Sequence, residues 1–389
     1  MAAGYAPFER LRDQAITQGT LAGAVALTLD RDGVTYESAA GRRAIDAPAP
    51  MTPDTIFWVA SMTKAIASLA ALMEVERGRL SLDGDLAALI PEFAALEVFD
   101  KPGPNGAWTT RPARRGPTLR ELLSHTCGFS YAFIDGRIPA WQEANGAPGG
   151  RSGTRAELLQ PLAFDPGEGW GYGIGIDWAG LAVEAASGQR LDAWLEEHVF
   201  APLGMADTGF IGGLRAAQRG RTAGMQARTP EGGLSPMAFA MPETPEVLSA
   251  GGGLYSTAAD YGRFLRLLLN GGELEGVRLI APETFAELSR VQTGARRAGA
   301  WTSAAPHLSN DIDLFPGMAT GWGLATMITP QPGPNGRRPG SLAWAGLGNT
   351  YYWADPAAGK GGLILTQVLP FGDPVVLDLL GALERGAYA

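Results

Sequence analysis

Segments with the pattern of β-strands lie at the two ends of the chain, and helical patterns fill the middle. Near the N-terminus, residues 21–30 and 33–41 predict a hairpin that turns at Asp32-Gly33. Near the C-terminus, a strand-like run at 321–329 is followed by the turn signal "PQPGPNGRRPG". Further strands are predicted at 341–346, 350–355 and 361–369, before a helix over 374–385. The arrangement predicts one sheet assembled from both termini, with a helical region inserted between them.

The composition is that of a globular protein and narrows the classes of partner. Hydrophobic residues make up 46% of the 389 residues and charged residues 18%. A net charge of −9 argues against nucleic acid or an anionic membrane as a partner. The single Cys127 excludes an internal disulfide. With three histidines and no metal-binding spacing among them, we predict no metal and no cofactor.

The N-terminal segment lacks the pattern of an export signal. Charged residues stand at Glu9, Arg10, Arg12 and Asp13, where a signal peptide needs an apolar stretch. The next apolar run, "LAGAVALTL", has nine residues, which is too short to span a bilayer. These features predict a cytoplasmic location.

The stretch "VASMTK" at residues 59–64 places a serine three positions before a lysine, where a helical pattern begins. Apolar residues from Ile66 to Met73 follow the i, i+3, i+4, i+7 spacing of a buried helix face, and Gly78 offers a stop. Residues three apart on a helix have Cβ atoms about 5–6 Å apart. Ser61 and Lys64 are therefore predicted to be neighbours on one face.

Nucleophilic chemistry at this pair requires an uncharged lysine. Holding the amine neutral at pH 7, from a free pKa near 10.4, costs about 4–5 kcal/mol unless the site lowers that pKa. Burial or a nearby positive charge would do so, and the apolar flanks "FWVA" and "AIASLAAL" predict burial. The alternative is an N-capping Ser61 beside an exposed Lys64, and the pair alone leaves both interpretations open.

Several longer stretches, in order along nearly the whole chain, resemble one protein family. They are "SMTK", "GRLSLDGDLAALIPEF", "LRELLSHTCGFSY", "PLAFDPGEGWGYGIGIDWAGLAVE", "GGGLYSTAADYGRFLRLLLNGG" and "WAGLGNTYYWADP". Together they are similar to the serine β-lactamase and penicillin-binding-protein fold, and within it to family VIII carboxylesterases and class C β-lactamase-like transesterases. The resemblance implies the α/β (α+β) class, with an antiparallel sheet flanked by helices. It also implies two domains, residues 1–80 with 236–389 and a mostly helical 81–235, with the active site at their interface.

The resemblance implies roles for three residues. Ser61 matches the serine that is acylated in this family, Lys64 its partner, and Tyr172 in "WGYGI" the family's tyrosine. A phenol beside an ammonium can pass a proton between the serine and the leaving group, because each charged form stabilises the other. Tyr172 as a core aromatic beside Trp170 and Trp178 is the alternative.

The third family element departs from the β-lactamases. Where they carry a cationic triplet that holds the substrate carboxylate, this chain has Trp344-Ala345-Gly346. A tryptophan packs against the acyl or alcohol part of an ester instead. Ile174 also replaces the amide of the β-lactamase Y-x-N element. Both departures favour uncharged esters over β-lactams.

The remaining site residues also come from the resemblance. The backbone N–H groups of Ser61 and Leu347 are implied as the oxyanion hole, whose donors are each worth about 10²–10³ in rate. Gly346 is expected to let the strand backbone approach the substrate closely. Tyr131 in "GFSYAF" matches a position that faces the lysine, which implies substrate binding or proton transfer.

Other chemically suggestive residues are interpreted as structural. His125 in "SHTCG" follows a helix and is predicted to bond to the backbone there, and Cys127 to be a small packed residue. No G-x-S-x-G is present, so a nucleophile elbow has no candidate serine. "GGGL" at 251–254 is interpreted as a close-packed turn before a strand. The loop 295–319, which contains Trp301, His307 and Phe315, either shapes the acyl pocket or is a surface excursion.

The arginine-rich loop 101–117 is predicted to be solvated rather than an anion site. Its candidate anion ligands are Arg111, Arg114 and Arg115, and such charge runs are usually exposed.

The functional prediction is a serine carboxylesterase that hydrolyses short- to medium-chain esters through a Ser61 acyl-enzyme, with Lys64 and Tyr172 as the base and acid. The partner is a small-molecule ester. Acyl transfer to an alcohol, weak β-lactam cleavage and amide hydrolysis on the same site are alternatives. A catalytically silent ligand-binding protein is the alternative outside enzymes. It is disfavoured because simple binding does not need the serine, lysine and tyrosine together.

Overall fold

The two ends of the chain pair directly in one antiparallel sheet, as the sequence predicts. A computed structural model describes residues 3–103, 108–150, 152–324 and 326–389. Its strands are β1 Gly23–Asp30, β2 Val34–Gly41, β3 Phe57–Trp58, β4 Glu97–Pro102, β5 Trp108–Pro112, β6 Gly209–Phe210, β7 Gln226–Arg228, β8 Leu234–Pro236, β9 Leu254–Ser256, β10 Glu273–Leu274, β11 Val277–Arg278, β12 Ala300–Trp301, β13 Ile312–Asp313, β14 Gly321–Trp322, β15 Met327–Thr329, β16 Ser341–Gly346, β17 Thr350–Asp355, β18 Lys360–Leu365 and β19 Val368–Leu369. Within the described residues, seven strands form the main sheet in the order β14-β15-β16-β17-β18-β1-β2. The N-terminal hairpin therefore joins the C-terminal strands at the β1–β18 pair, where Val25 faces Leu365.

Helices cover both faces of this sheet. The α-helices of the described residues are α1 Ala6–Thr17, α2 Thr63–Glu76, α3 Leu119–Ser124, α4 Arg137–Asn145, α5 Gly175–Ser187, α6 Leu191–Leu195, α7 Ala201–Leu203, α8 Ala216–Arg219, α9 Ala258–Leu269, α10 Pro282–Leu288 and α11 Pro374–Tyr388, and those that pack on the sheet are α1, α2, α9 and α11. Strand β1 is apolar apart from Thr28 and the terminal Asp30, because it is buried on both faces. Its Ala24 and Ala26 pack with α1 and α11, whereas Val25 and Leu27 pack with α2 and α9.

The inserted region shares its core with the sheet. Trp178 of α5 and Trp194 of α6 belong to the same buried cluster as Val25. The region also contains strands, and β7 pairs in parallel with the C-terminal β19. The division into residues 1–80 with 236–389 and 81–235 stays a prediction.

Two local predictions were wrong. The segment that includes the predicted loop 101–117 forms a hairpin of β4 and β5 in its described part; residues 104–107 lie outside the described residues. The run 321–329 is two short antiparallel strands, β14 and β15, with residue 325 outside the described part. Arg111 of β5 is held by Asp165, a contact 54 residues away along the chain that local sequence does not reveal.

None of the helices in the described parts of the chain is long and apolar enough to cross a membrane.

Candidate active site

The predicted nucleophile sits on a tight turn that the strand β9 holds in place. Ser61 lies in a 3₁₀ turn, Ala60–Met62, between β3 and α2. The backbone N–H of Val59 donates to the Leu254 carbonyl at 3.0 Å, and the N–H of Leu254 donates to Thr63 Oγ1 at 3.1 Å. The serine is therefore fixed on both sides by the same short strand.

Two backbone features bring the turn close to strand β16. Ala60 has φ = +46°, an uncommon conformation for a residue with a Cβ. Gly346 packs so closely that a Cβ there would lie 2.3 Å from both the Val59 carbonyl and Thr350 Oγ1. Gly346 was expected to let the strand backbone approach the substrate. In the structure the space beside its Cα is filled by the turn that carries Ser61, so the end of β16 lies beside the serine.

Lys64 is fully buried beside Ser61 and has three hydrogen-bond partners. Its Nζ lies 3.1 Å from Ser61 Oγ, 2.8 Å from the Tyr131 hydroxyl and 2.5 Å from the Gly251 carbonyl. Burial lowers the pKa of Lys64 to about 7, although the nearby Asp177 carboxylate raises it. The two residues are neighbours as predicted, and burial rather than a second cation lowers the pKa of the amine. At neutral pH a large share of the lysine is uncharged and able to accept a proton.

Tyr172 lies in the same cluster, and its own phenol is protonated at neutral pH. Burial raises its pKa above the ordinary value, while hydrogen bonds with Ser61 and Trp344 oppose the increase. The indole Nε1 of Trp344 donates to the Tyr172 hydroxyl at 2.9 Å, and Lys64 Nζ lies 4.9 Å from the centre of the phenol ring. The structure thus brings Tyr172 together with the other predicted site residues, and its catalytic role stays a prediction, because the hydroxyl of a core tyrosine also pairs when it is buried.

Residues 344–346 end the strand β16 at this cluster, and each contributes differently. Trp344 is 3% exposed, and its indole reaches Tyr172. Ala345 points to the opposite face and packs in the cluster below α1 and α11, so only its backbone borders the site. The half-buried Leu347 follows and lines the same cavity as Ser61.

The cluster opens into a cavity of about 570 Å³ whose walls include several aromatic side chains. Trp301 stacks on Tyr172 with ring centres 5.5 Å apart and on Phe371 at 5.9 Å. Of the described residues that line the cavity, only Arg190 carries a positive charge, and it pairs with Asp192 at 3.3 Å. The lining also includes four carboxylates, Glu157, Asp177, Asp192 and Glu243, so the cavity disfavours an anionic molecule.

The loop 295–319 divides between the two alternatives, since one part of it lines the cavity and another part lies at the surface. Trp301 forms a wall of the cavity, whereas His307 is exposed. Phe315 is buried under the Arg337 guanidinium, 5.6 Å from its ring centre.

His125 bonds to the backbone as predicted, but it does so through its main chain and not through its ring: its N–H donates to the Glu121 carbonyl, and its carbonyl accepts from the Gly171 N–H at 2.9 Å. The imidazole is fully buried with its ring centre 4.7 Å from that of Tyr172 and 4.8 Å from that of Trp322, and neither ring nitrogen has a hydrogen-bond partner among the described residues. Burial lowers its pKa well below the ordinary value, so the ring is neutral. Cys127 is packed as predicted, and burial raises its pKa to about 12.

The three arginines of the segment 101–117 each pair with a carboxylate. Arg111 contacts Asp165 at 2.6 Å and Arg115 contacts Glu121 at 2.5 Å. Arg114 pairs with Glu168. In its described part, the segment forms no cluster of unpaired arginines for an anion.

Sequence reasoning missed two residues next to the lysine, Asp177 and Gly251. Asp177 is 4% exposed in the first turn of α5, and Gly251 opens the turn before β9. A signal for Asp177 was present, since it is the one charged residue in the apolar run "GIDWAGLAV". The "GGGL" turn was predicted to be close-packed, and it is, but its contact with Lys64 joins residues 187 positions apart.

A serine hydroxyl beside a buried amine of lowered pKa, with a protonated phenol in contact, defines the class of serine enzymes that attack carbonyl carbon. The profile of the Beta-lactamase family matches residues 8–385, and the chain belongs to that family.

Comparisons with individual proteins agree. The chain is 32% identical to the lovastatin esterase of Penicillium rubens over 96% of each protein. It superposes on the unliganded simvastatin synthase LovD of Aspergillus terreus with a TM-score of 0.86 and 29% identity, covering 100% of this chain and 99% of that one. A family VIII carboxylesterase, 20% identical over 99% and 98% of the two chains, shares the fold with a TM-score of 0.64. The predicted family and fold are confirmed, and the comparisons support an ester-acting enzyme, either an esterase or an acyltransferase.

Proposed function

We propose that the protein is a serine carboxylesterase that hydrolyses uncharged short- to medium-chain carboxylic esters through an acyl-enzyme on Ser61. The observation that carries the proposal is the buried Lys64 amine, 3.1 Å from Ser61 Oγ with a pKa of about 7. A base of this pKa works near neutral pH without a histidine.

The acylation step follows from the contacts. As the Ser61 oxygen bonds to the ester carbon, its proton passes to Lys64 and the carbonyl electrons move to oxygen. The backbone N–H groups of Ser61 and Leu347 stabilise this oxyanion. The carbon–oxygen bond to the alcohol then breaks, and Tyr172 gives the departing oxygen its proton. The Lys64 amine and the Tyr172 hydroxyl both contact the Ser61 oxygen, so Lys64 can return a proton to Tyr172.

Deacylation repeats these steps with water as the nucleophile. Tyr131, bonded to Lys64 at 2.8 Å, completes the proton network, and Trp344 with the backbone of Ala345 and Gly346 forms the substrate wall. The cytoplasmic location predicted from the N-terminal sequence belongs to the same proposal.

The preference for neutral esters rests on charge. Trp344 occupies the position where a β-lactamase needs a cation, and Arg190 is already paired with Asp192. A p-nitrophenyl ester series from acetyl to decanoyl, run beside nitrocefin and a β-lactam panel, tests this. Turnover that peaks at short or medium acyl chains and is lost in Ser61→Ala supports the proposal. β-Lactam turnover exceeding that of every ester contradicts it.

Acyl transfer to an alcohol is the second candidate. It is favoured by the similarity to LovD and by the cavity, whose 570 Å³ can hold an organic acceptor in place of water. Product analysis with a bulky alcohol added to the ester reaction separates the two. A transferred ester as the main product would replace hydrolysis as the assignment.

A further inference from the structure

Asp177 is a buried carboxylate that the steps above do not use. It lies in the first turn of α5, five residues after Tyr172, and is 4% exposed. A carboxylate at a helix N-terminus is stabilised by the helix dipole, so a purely structural role is the simplest alternative.

Its contacts lead directly to the lysine. Asp177 Oδ1 accepts hydrogen bonds from the Gly251 backbone N–H at 3.0 Å and from Ser249 Oγ at 2.9 Å. The carbonyl of the same Gly251 accepts from Lys64 Nζ at 2.5 Å. A Cβ on residue 251 would lie 2.4 Å from Asp177 Oδ2, so only glycine permits this approach. One residue therefore links the carboxylate to the amine.

The linkage orients the amine. A carbonyl oxygen only accepts hydrogen bonds, so one N–H of Lys64 must always point at Gly251. The remaining positions of the nitrogen face Ser61 and Tyr131. When the amine is uncharged, its lone pair is thus directed at hydroxyl groups, where the serine proton is.

The Asp177 carboxylate also acts on Lys64 through its negative charge. The groups around the amine are the Ser61 hydroxyl, the phenols of Tyr131 and Tyr172, the His125 imidazole and Asp177. His125 and Tyr172 are uncharged at neutral pH because burial disfavours their charged forms. Among the described groups that act on Lys64, Asp177 is the acid. Burial raises the pKa of its carboxyl, while the Lys64 charge and the hydrogen bonds from Gly251 and Ser249 oppose the increase, and its ionised form favours the ammonium form of Lys64.

We propose that Asp177 is a positioning residue, which holds the Lys64 amine in the orientation that accepts the Ser61 proton and sets the pH at which it does so. This inference rests on the proposed function. Without the negative charge, Lys64 loses its proton at lower pH, so the enzyme stays active further into the acid range. A carboxylate with only a structural role would not move the pH profile.

The test is the pH dependence of kcat/KM and of Ser61 phosphonylation by a fluorophosphonate, for the wild type, Asp177→Asn and Asp260→Asn. The asparagine keeps an oxygen for the Gly251 N–H but carries no charge. Asp260 on α9 is a matched control. It is also a buried carboxylate, and it accepts hydrogen bonds from a backbone N–H and from a hydroxyl. We expect the acid limb of both profiles to move to lower pH by about one unit in D177N, and to stay in place in D260N.

The outcomes separate the two proposals. If the wild type turns over esters and is labelled on Ser61 while the acid limb of D177N matches that of the wild type, the role of Asp177 is wrong and the esterase proposal stands. If the wild type shows neither reaction, the proposed function fails first. Should D177N not fold, Ser249→Ala replaces it. Loss of this donor to Asp177 is expected to lower kcat with little change in KM, and an unchanged kcat would contradict the inference.

Discussion

Lys64 should make the fold less stable, by an amount that depends on pH. Its pKa is about 7 in the folded chain against an ordinary value of 10.5. Below pH 7 the protein must bury an ammonium, and the difference between the two pKa values corresponds to about 5 kcal/mol of lost stability. Since the folded pKa lies below the unfolded one, this penalty is complete below about pH 7 and disappears as the pH rises towards 10.5.

Replacing Lys64 with methionine removes the charged amine and keeps an unbranched apolar side chain of nearly the same length. The Gly251 carbonyl then loses its partner, which costs about 1–3 kcal/mol at every pH. We expect Lys64→Met to be inactive and yet more stable than the wild type at pH 6, by a few kcal/mol. From pH 6 to pH 9 this advantage should shrink by about 3 kcal/mol, because the wild type recovers that share of its penalty. The buried Asp177, deprived of its cation, adds to the same trend.

The assay is urea unfolding of both proteins at pH 6 and pH 9, with Lys360→Met as the control. Lys360 binds the Ala387 carbonyl at 2.7 Å, away from the site, and its removal should give no such trend. A stability difference between K64M and the wild type that is the same at both pH values would refute a buried lysine of lowered pKa.

Three further substitutions test the neighbouring groups. Tyr172→Phe removes the proposed acid and should lower kcat by about 10²–10⁴ with the fold intact, and wild-type turnover would exclude the phenol from the mechanism. Trp344→Phe keeps an aromatic wall but loses the 2.9 Å bond to that phenol, so a drop of about tenfold in kcat is expected in steady-state kinetics; no change would mean the bond is dispensable. Trp301→Ala opens the cavity and should shift the p-nitrophenyl ester optimum to longer acyl chains, whereas an unmoved optimum would show that Trp301 does not limit the substrate.

The sheet could be predicted because its strands are marked locally. The apolar strand β1 and the turn at Asp32-Gly33 are visible in a few residues each. The β4–β5 hairpin is not, because its residues are polar and proline-rich and its anchor, Asp165, is distant in sequence. In this segment the local composition predicts a loop, and the tertiary contacts determine that it forms a hairpin.

For the site, too, the local contacts could be predicted from the sequence and the distant ones could not. Ser61 and Lys64 are one helical turn apart, so their contact follows from spacing, and the apolar flanks indicated the burial that lowers the lysine pKa. The bond from Trp344 to Tyr172 joins residues 172 positions apart. Such contacts have no local signal and required the folded chain.

Contacts with residues distant in sequence also determine what surrounds the His125 ring. The turn position of this residue is local, and its left-handed φ of +59° ends helix α3. Its ring, however, is enclosed by Tyr172 and Trp322, which come from other parts of the chain.

The covalent intermediate on Ser61 is the most direct test of the proposed function. The wild type is mixed with excess p-nitrophenyl butyrate, quenched in acid within the first turnovers, digested and analysed by peptide mass spectrometry, with Ser61→Ala beside it. The proposal predicts a butyryl group on the peptide of residues 59–64, at Ser61, and none in the variant. Rapid ester turnover with no acyl group on Ser61 under these conditions, or equal turnover by Ser61→Ala, would contradict it.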